Sequence, residues 1–321
     1  MGTLESIMAS LRNLAAIHKS TPMAARSNLQ QAVPITFGFK LARLLSTFQR
    51  HHERLLQLKG RLLVLQFSGA AGTLATLPAD RALECQMALA QFLHLSPPDI
   101  AWHAERDRFA ELAGCFAMLT GTCAKFALDV KLLMQTEVGE VSEPFHDHRG
   151  ASSTMPQKRN PISSAYISAI ATSVRQHANA MYEAMVADHE RSTGPWQVEW
   201  IVLPELCILT GAALKHTQGL VIGLQVHPEA MLRNLDATNG GIVSEAIMMY
   251  LAPHIGRQVA HDLVYELCRK SAKNNVHLID LLEVDERVIS AGLSKEMLEP
   301  LCDPRNYLGL SVEMVERVVG K

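Results

Sequence analysis

The chain has 321 residues, 48% apolar and 19% charged, with Lys+Arg 30 against Asp+Glu 32 and a net charge of −2. That composition excludes a disordered chain and allows a large buried core. Without a basic excess, neither nucleic acid nor an anionic membrane surface is an expected partner.

Residues 1–20 are amphipathic and charged throughout, without the apolar centre of a signal peptide. Helix is predicted over 39–58, where Leu41, Leu44, Leu45, Phe48, Leu55 and Leu56 share a face. Polar breaks follow at 68–78 ("SGAAGTLATLP") and 95–102 ("LSPPDIAW"). The strongest periodicity lies at 109–134, where Phe109, Leu112, Ala113, Phe116, Leu119, Thr120, Cys123, Phe126, Ala127, Val130, Leu133 and Met134 recur in alternating steps of three and four. That is a long bundle helix with a seam repeating about every 3.5 residues. Further long helices are predicted at 161–187 and 198–225, separated by "HERSTGPW" at 189–196. Beyond 226 the helices shorten, and strand signals are almost absent.

The fold expected is therefore all-α: a long-helix bundle over 1–225 and a small C-terminal helical domain over 226–321. Exposed apolar seams on such helices call for a homo-oligomer. No uninterrupted apolar run reaches the roughly 18 residues of a membrane helix. The six cysteines are scattered without metal-ligand spacing, as in a reducing, cytoplasmic compartment.

One segment breaks the helical pattern, "RGASSTMPQKRNP" at 149–161. Asn160 suits an N-cap and Pro161 the first position of the next helix. A helix N-terminus favours anions, Lys158 adds a full charge, and Ser152 and Ser153 add hydroxyls. From spacing alone, a carboxylate-gripping loop and a plain solvated loop are both open. His146, Asp147 and His148 have metal-like side chains but no third ligand motif, and read as a solvated face. His51 and His52 read as surface residues. Glu140 and Glu143 flank the segment, and read better as hydrogen-bonding helix ends than as paired catalytic acids.

The run "ASSTMPQKRNP" closely resembles the signature of the fumarase/aspartase superfamily, with Ala151 in place of the usual glycine. "MAARSNLQQAVPITFG" at 23–38 resembles the superfamily's second segment. "LQFSGAAGTLATL", "AWHAERDRFAEL", "LLMQTEVGEVSEP" and "DHERSTGPWQVEWIVLPEL" are most similar to the bacterial-type 3-carboxy-cis,cis-muconate cycloisomerase branch. The resemblance runs from about 22 to 318. It implies a homotetramer with sites built from three subunits, a small di- or tricarboxylate substrate, and chemistry needing neither metal nor cofactor.

By carry-over, Ser152 is the base that removes a proton beside a carboxylate. Lys158, Asn160, Ser153, Met155, Arg26, Ser27, Asn28 and Gln30 bind or orient the substrate; Arg191 in "DHER" suits a bidentate grip on a carboxylate or, equally, a structural salt bridge. The 149–161 segment would close over the substrate. Many members carry Thr-His where this chain has Ser27-Asn28, and asparagine cannot carry a proton near pH 7. A departing amine or hydroxide needs a proton, whereas a departing carboxylate does not, which favours a cycloisomerase over an amine-eliminating lyase such as adenylosuccinate lyase. A decayed, non-catalytic oligomer is the remaining alternative. Trp200 stands where an adenylosuccinate lyase places its phosphate-gripping arginine. Glu105 replaces a usual glutamine and would repel an anionic substrate. Members also carry a small N-terminal domain ahead of the second segment. The sequence opens in the helix before Met23, so the expectation is a chain without that domain, whose missing site wall another chain would have to supply.

Overall fold

The computed structural model describes residues 1–144, 155 and 157–320. In chain order the elements are α1 (Gly2–Ile17), β1 (Pro22–Ser27), β2 (Gln30–Thr36), α2 (Phe37–Leu62), α3 (Ala82–Phe92), α4 (Asp107–Leu133) and β3 (Val141–Ser142). There follow α5 (Ile162–Glu183), α6 (Pro195–Ile222), β4 (Gln225–Val226), α7 (Pro228–Leu235), α8 (Ser244–Ile255) and α9 (Arg257–Asn274). Four short helices end the chain: α10 (Leu278–Leu282), α11 (Glu286–Ser290), α12 (Lys295–Cys302) and α13 (Ser311–Val319). The fold is the expected helical one.

One compact unit comprises Met1–Met8, Ser46–Lys131 and Glu143–Gly223. Its long helices are held by the seam read from the sequence. On α4, Ala113, Leu119, Thr120, Cys123, Phe126, Ala127 and Val130 are buried. Ala113 joins Val174, Ala178 and Met181 of α5 and Leu206 of α6 in one apolar cluster. Burial of each large side chain in such a cluster contributes about 1.5–3 kcal/mol. Burial pushes the Cys123 thiol up to about 12, so it behaves as a small apolar side chain. On α2 the face turns after Phe48: His51 and Leu58 are buried, while Leu56 is exposed. Two expectations are corrected here, because steps of three and four from Phe48 bring His51 rather than Leu56 onto the seam. Both α4 and α6 contain an 18-residue window long and apolar enough to match a membrane span by composition. The polar residues that interrupt these helices hid that from a search for unbroken apolar runs.

The other unit comprises Ala9–Leu45, Leu132–Ser142 and Leu224–Lys321. Its core gathers Ala24 of β1 with Leu235, Ile247, Leu251, Leu263, Leu267, Leu278 and Leu298. Gly38, at the start of α2, lies so close to α1 that a Cβ there would meet the Ala15 carbonyl oxygen at 2.6 Å. Two antiparallel ribbons, β1–β2 and β3–β4, were not expected. The first is a hairpin closed by two residues, Asn28 (φ 50°) and Leu29 (φ 65°). Left-handed backbone at both positions matches the right-handed twist of a tight hairpin. Asparagine adopts that conformation readily and leucine does not, so the signal was half present.

Candidate active site

The hairpin carries four of the sequence-selected residues. Arg26 and Gln31 are partners across the ladder, as are Ser27 and Gln30. Side chains alternate between the two faces, so Arg26 and Gln31 share one face and Gln30 belongs to the other. Arg26 donates from Nη1 to Glu140 Oε2 (2.9 Å) and from Nη2 to Glu140 Oε1 (2.7 Å). Glu140 is fully buried, and also accepts from Asn234 Nδ2 at 2.8 Å. Asn234 Nδ2 donates to the Val138 carbonyl as well (2.8 Å), and Gln31 Nε2 donates to the Asn234 carbonyl (2.7 Å). The carboxylate is thereby held by a bidentate fork and an amide, the arrangement that offsets the cost of burying it. Gln31 Oε1 is buried without a hydrogen bond. Asn28 and Ser27 stand exposed at the turn.

Arg26 thus presents its two terminal nitrogens to Glu140, and the role on view is to order the hairpin. Gln31 and Asn234 were missed by sequence reasoning. Gln31 was within reach of it, since alternation from Arg26 selects Gln31 over Gln30 once a two-residue turn is recognised. Asn234 lies more than 200 residues along the chain and carries no motif.

The second set precedes α5. Ser152, Ser153, Ala151 and the His146–Asp147–His148 triplet lie outside the described residues. Met155 and Lys158 are exposed, Asn160 is half-buried, and the Lys158 amide donates to the Met155 carbonyl at 3.0 Å. The helix begins at Ile162, with Pro161 in the cap position (φ −79°, ψ 67°), one residue later than expected. The Ser163 amide donates to Glu143 Oε2 (2.9 Å) and the Ser164 amide to Glu143 Oε1 (2.8 Å). Glu143 is itself buried. The helix terminus expected to attract an anion already holds one, supplied by the chain on the near side of the motif. Glu143 bonds a helix end, as its position suggested, whereas the Glu140 carboxylate bonds the Arg26 and Asn234 side chains instead.

The third set joins Arg191 to the turn at residues 69–73. Arg191 donates from Nε to the Ala70 carbonyl and from Nη2 to the Gly69 carbonyl, both at 2.9 Å. It grips the "GAAGT" turn, in which Gly69 and Gly72 have φ of 79° and 94°. A Cβ on Gly72 would meet the Ala101 side chain at 2.7 Å, so this turn needs glycine on two counts. Nearby, Arg106 forms a buried fork with Glu199, Nε to Oε2 at 2.9 Å and Nη2 to Oε1 at 2.6 Å. Its guanidinium lies 5.3 Å from the Trp102 ring and 4.7 Å from the Phe109 ring. His103 packs edge-on against Trp196 at 4.5 Å, and its Nε2 is buried without a partner. Burial and the nearby Arg191 and Arg106 charges hold its pKa below the usual range. Trp200 is exposed and packs on Trp196. Glu105 is exposed.

Among the described residues no group of three His, Cys, Asp or Glu side chains is placed to hold a metal ion. All six cysteines are free thiols.

Comparison with known proteins gives this arrangement its context. A family model described as Lyase matches residues 1–175, and one described as Adenylosuccinate lyase C-terminus matches 240–318. The chain is 53% identical to trans-aconitate decarboxylase 1 of Mycosarcoma maydis, over 99% of this chain and 64% of that protein. It is 46% identical to the 3-carboxy-cis,cis-muconate cycloisomerase of Pseudomonas aeruginosa, over 99% of this chain and 69% of that one. The solved 3-carboxy-cis,cis-muconate lactonizing enzyme from Pseudomonas putida superposes with a TM-score of 0.92 at 40% identity, covering 99% of this chain and 70% of that one. This chain therefore spans about two thirds of the length of those relatives. On family models, relatives and architecture together, the chain belongs to the fumarase/aspartase superfamily of enzymes.

Proposed function

We propose that the chain acts on an unsaturated tricarboxylate by ionising a carbon acid beside a carboxylate, in the manner of a 3-carboxy-cis,cis-muconate cycloisomerase. In the lactone-opening direction, Ser152 takes the proton from carbon and the electron pair forms the new C=C bond. The ring C–O bond breaks, and its oxygen leaves as a carboxylate. Lactone closure is the reverse. Lys158, Asn160, Arg191 and the hairpin residues Arg26, Ser27, Asn28 and Gln30 bind and orient the carboxylates, with Ser153 and Met155 beside them. Hydrogen-bond donors and cations offset the charge that builds on the ionised acid.

The observation that carries this reading is Asn28 at the hairpin tip, with φ 50°. Its conformation suits asparagine, and its side chain donates a hydrogen bond without holding a transferable proton. A site built this way suits a leaving group that departs as a stable anion and needs no general acid. The 46% identity to a cycloisomerase points the same way.

A second reading is favoured by the 53% identity to a trans-aconitate decarboxylase. Carbon dioxide also departs without a proton, and aconitate is likewise an unsaturated tricarboxylate. The two readings share the trianionic substrate and differ in the bond broken. Exposed Trp200, Ile201, Ile208 and Ile222 on α6 support assembly as a homotetramer, which a solution mass measurement tests.

The deciding experiment supplies 3-carboxy-cis,cis-muconate and trans-aconitate separately, and follows loss of diene absorbance and release of carbon dioxide. Diene consumption without carbon dioxide supports the first reading, and carbon dioxide from trans-aconitate the second. Turnover of neither would sink both. Ser152→Ala is expected to lower the active rate by about 10²–10⁴-fold.

A further inference from the structure

Away from the residues discussed so far, α2, α4 and α5 border an open surface cavity of about 370 Å³. Arg54, Arg61, Glu111, Cys115, Met118 and Tyr182 line it. Arg61 is spent on Glu111, donating from Nε to Oε2 at 3.0 Å and from Nη2 to Oε1. Arg54 differs. Among the described residues no carboxylate lies within ion-pair range of it, and its Nη1 donates instead to His51 Nδ1 at 3.3 Å.

His51 is buried, and its hydrogen bonds fix its form. Nδ1 accepts from Arg54, so Nε2 carries the hydrogen and donates to Thr122 Oγ1 at 2.8 Å. The Thr122 hydroxyl in turn donates to the Met118 carbonyl at 3.3 Å. Burial, then the Arg54 and Arg50 charges, hold the imidazole neutral, with a pKa of about 4. The ring therefore orients the Arg54 guanidinium without cancelling its charge. On the opposite wall the Tyr182 hydroxyl occupies the gap left by Gly114, where a Cβ would stand 2.6 Å from it. Burial pushes the Cys115 thiol up, leaving it neutral.

With two guanidinium groups and one carboxylate, the cavity carries a net charge of one positive unit. We propose that it binds a small monocarboxylate with an apolar body. The carboxylate lies on Arg54 and the Tyr182 hydroxyl, and the body lies against Ala110, Cys115 and Met118. A second negative charge on the ligand would face Glu111. The volume falls at the lower end of small-molecule pockets, about 300–1,000 Å³.

Calorimetric titration of the full chain with benzoate tests this, with benzamide as the uncharged isostere and inorganic phosphate as a compact anion. Benzoate is expected to bind at least about tenfold more tightly than either, and Arg54→Gln to weaken it about 10–100-fold, as for loss of a charged hydrogen bond. Tyr182→Phe, at an exposed position that leaves the core intact, is expected to weaken it several-fold and carries the test if Arg54→Gln does not fold. Equal binding of benzamide, tighter binding of phosphate, or benzoate affinity unchanged in either variant overturns the proposal. So does an Arg54→Gln protein that changes oligomeric mass while the unsubstituted chain binds no benzoate, which would make this face a subunit contact.

Discussion

Two arginine–glutamate forks, one in each compact unit, hold the same geometry in different surroundings. Arg106 and Glu199 are both nearly sealed, with side-chain exposures of 5% and 9%, and aromatic rings cover the guanidinium. Arg26 retains 22% exposure above a Glu140 that is fully buried and bonded to Asn234. A sealed pair contributes nothing to a ligand and much to the integrity of its unit, since loss of either member strands a buried charge. A half-open pair can hold a hairpin in place and still offer its remaining N–H groups. The difference separates an arginine that builds the scaffold from one that can do so while meeting an anion.

Breaking the sealed pair is expected to have the largest effect. Arg106→Ala leaves Glu199 buried without its partner and should cost about 3–5 kcal/mol in urea unfolding. A loss below about 1 kcal/mol would mean that water reaches the pair and that the contrast is false. Glu140→Gln probes the half-open pair: about 1–3 kcal/mol of stability is expected to go, because Arg26 can turn to solvent while Asn234 keeps an oxygen to bond. If Arg26 also binds substrate, KM should change in that variant by more than the unfolding data require, and an unchanged KM assigns the residue to scaffolding alone. Glu143→Ala should be the mildest of the three, about 1–2 kcal/mol, as for loss of a helix cap. Helical content should fall by no more than the first turn of α5, which amide exchange at Ser163 and Ser164 would register.

The parts of the fold that repeat along the chain were legible. The α4 seam was read residue by residue because a 3.5-residue period leaves little choice of face. The α2 face was read as far as Phe48 and then lost, since a helix among charges offers several apolar stripes and His51 was not counted as a core residue. The hairpin was hidden by its own sequence: Pro34 argues against a strand, and Leu29 is an unusual occupant of a left-handed turn position. Long-range pairings were beyond any local rule. Arg106 meets Glu199 at a separation of 93 residues and Arg26 meets Glu140 at 114, and nothing in the periodicity joins residues 9–45 to the C-terminal helices. The motif at 149–161 was conspicuous as sequence, yet its neighbour Glu143, which fills the helix terminus, was recognised only as a general helix-end ligand.

That last contact has a topological consequence. Glu143 stands on one side of the serine-lysine motif, Ser163 and Ser164 on the other, and two hydrogen bonds staple them together. The two flanks of the motif are thereby fixed against one another by the scaffold itself. The entropy of bringing two points n residues apart together grows as about (3/2)RT ln n, and for Glu143 and Ser163 the fold of this unit meets that term before any ligand arrives.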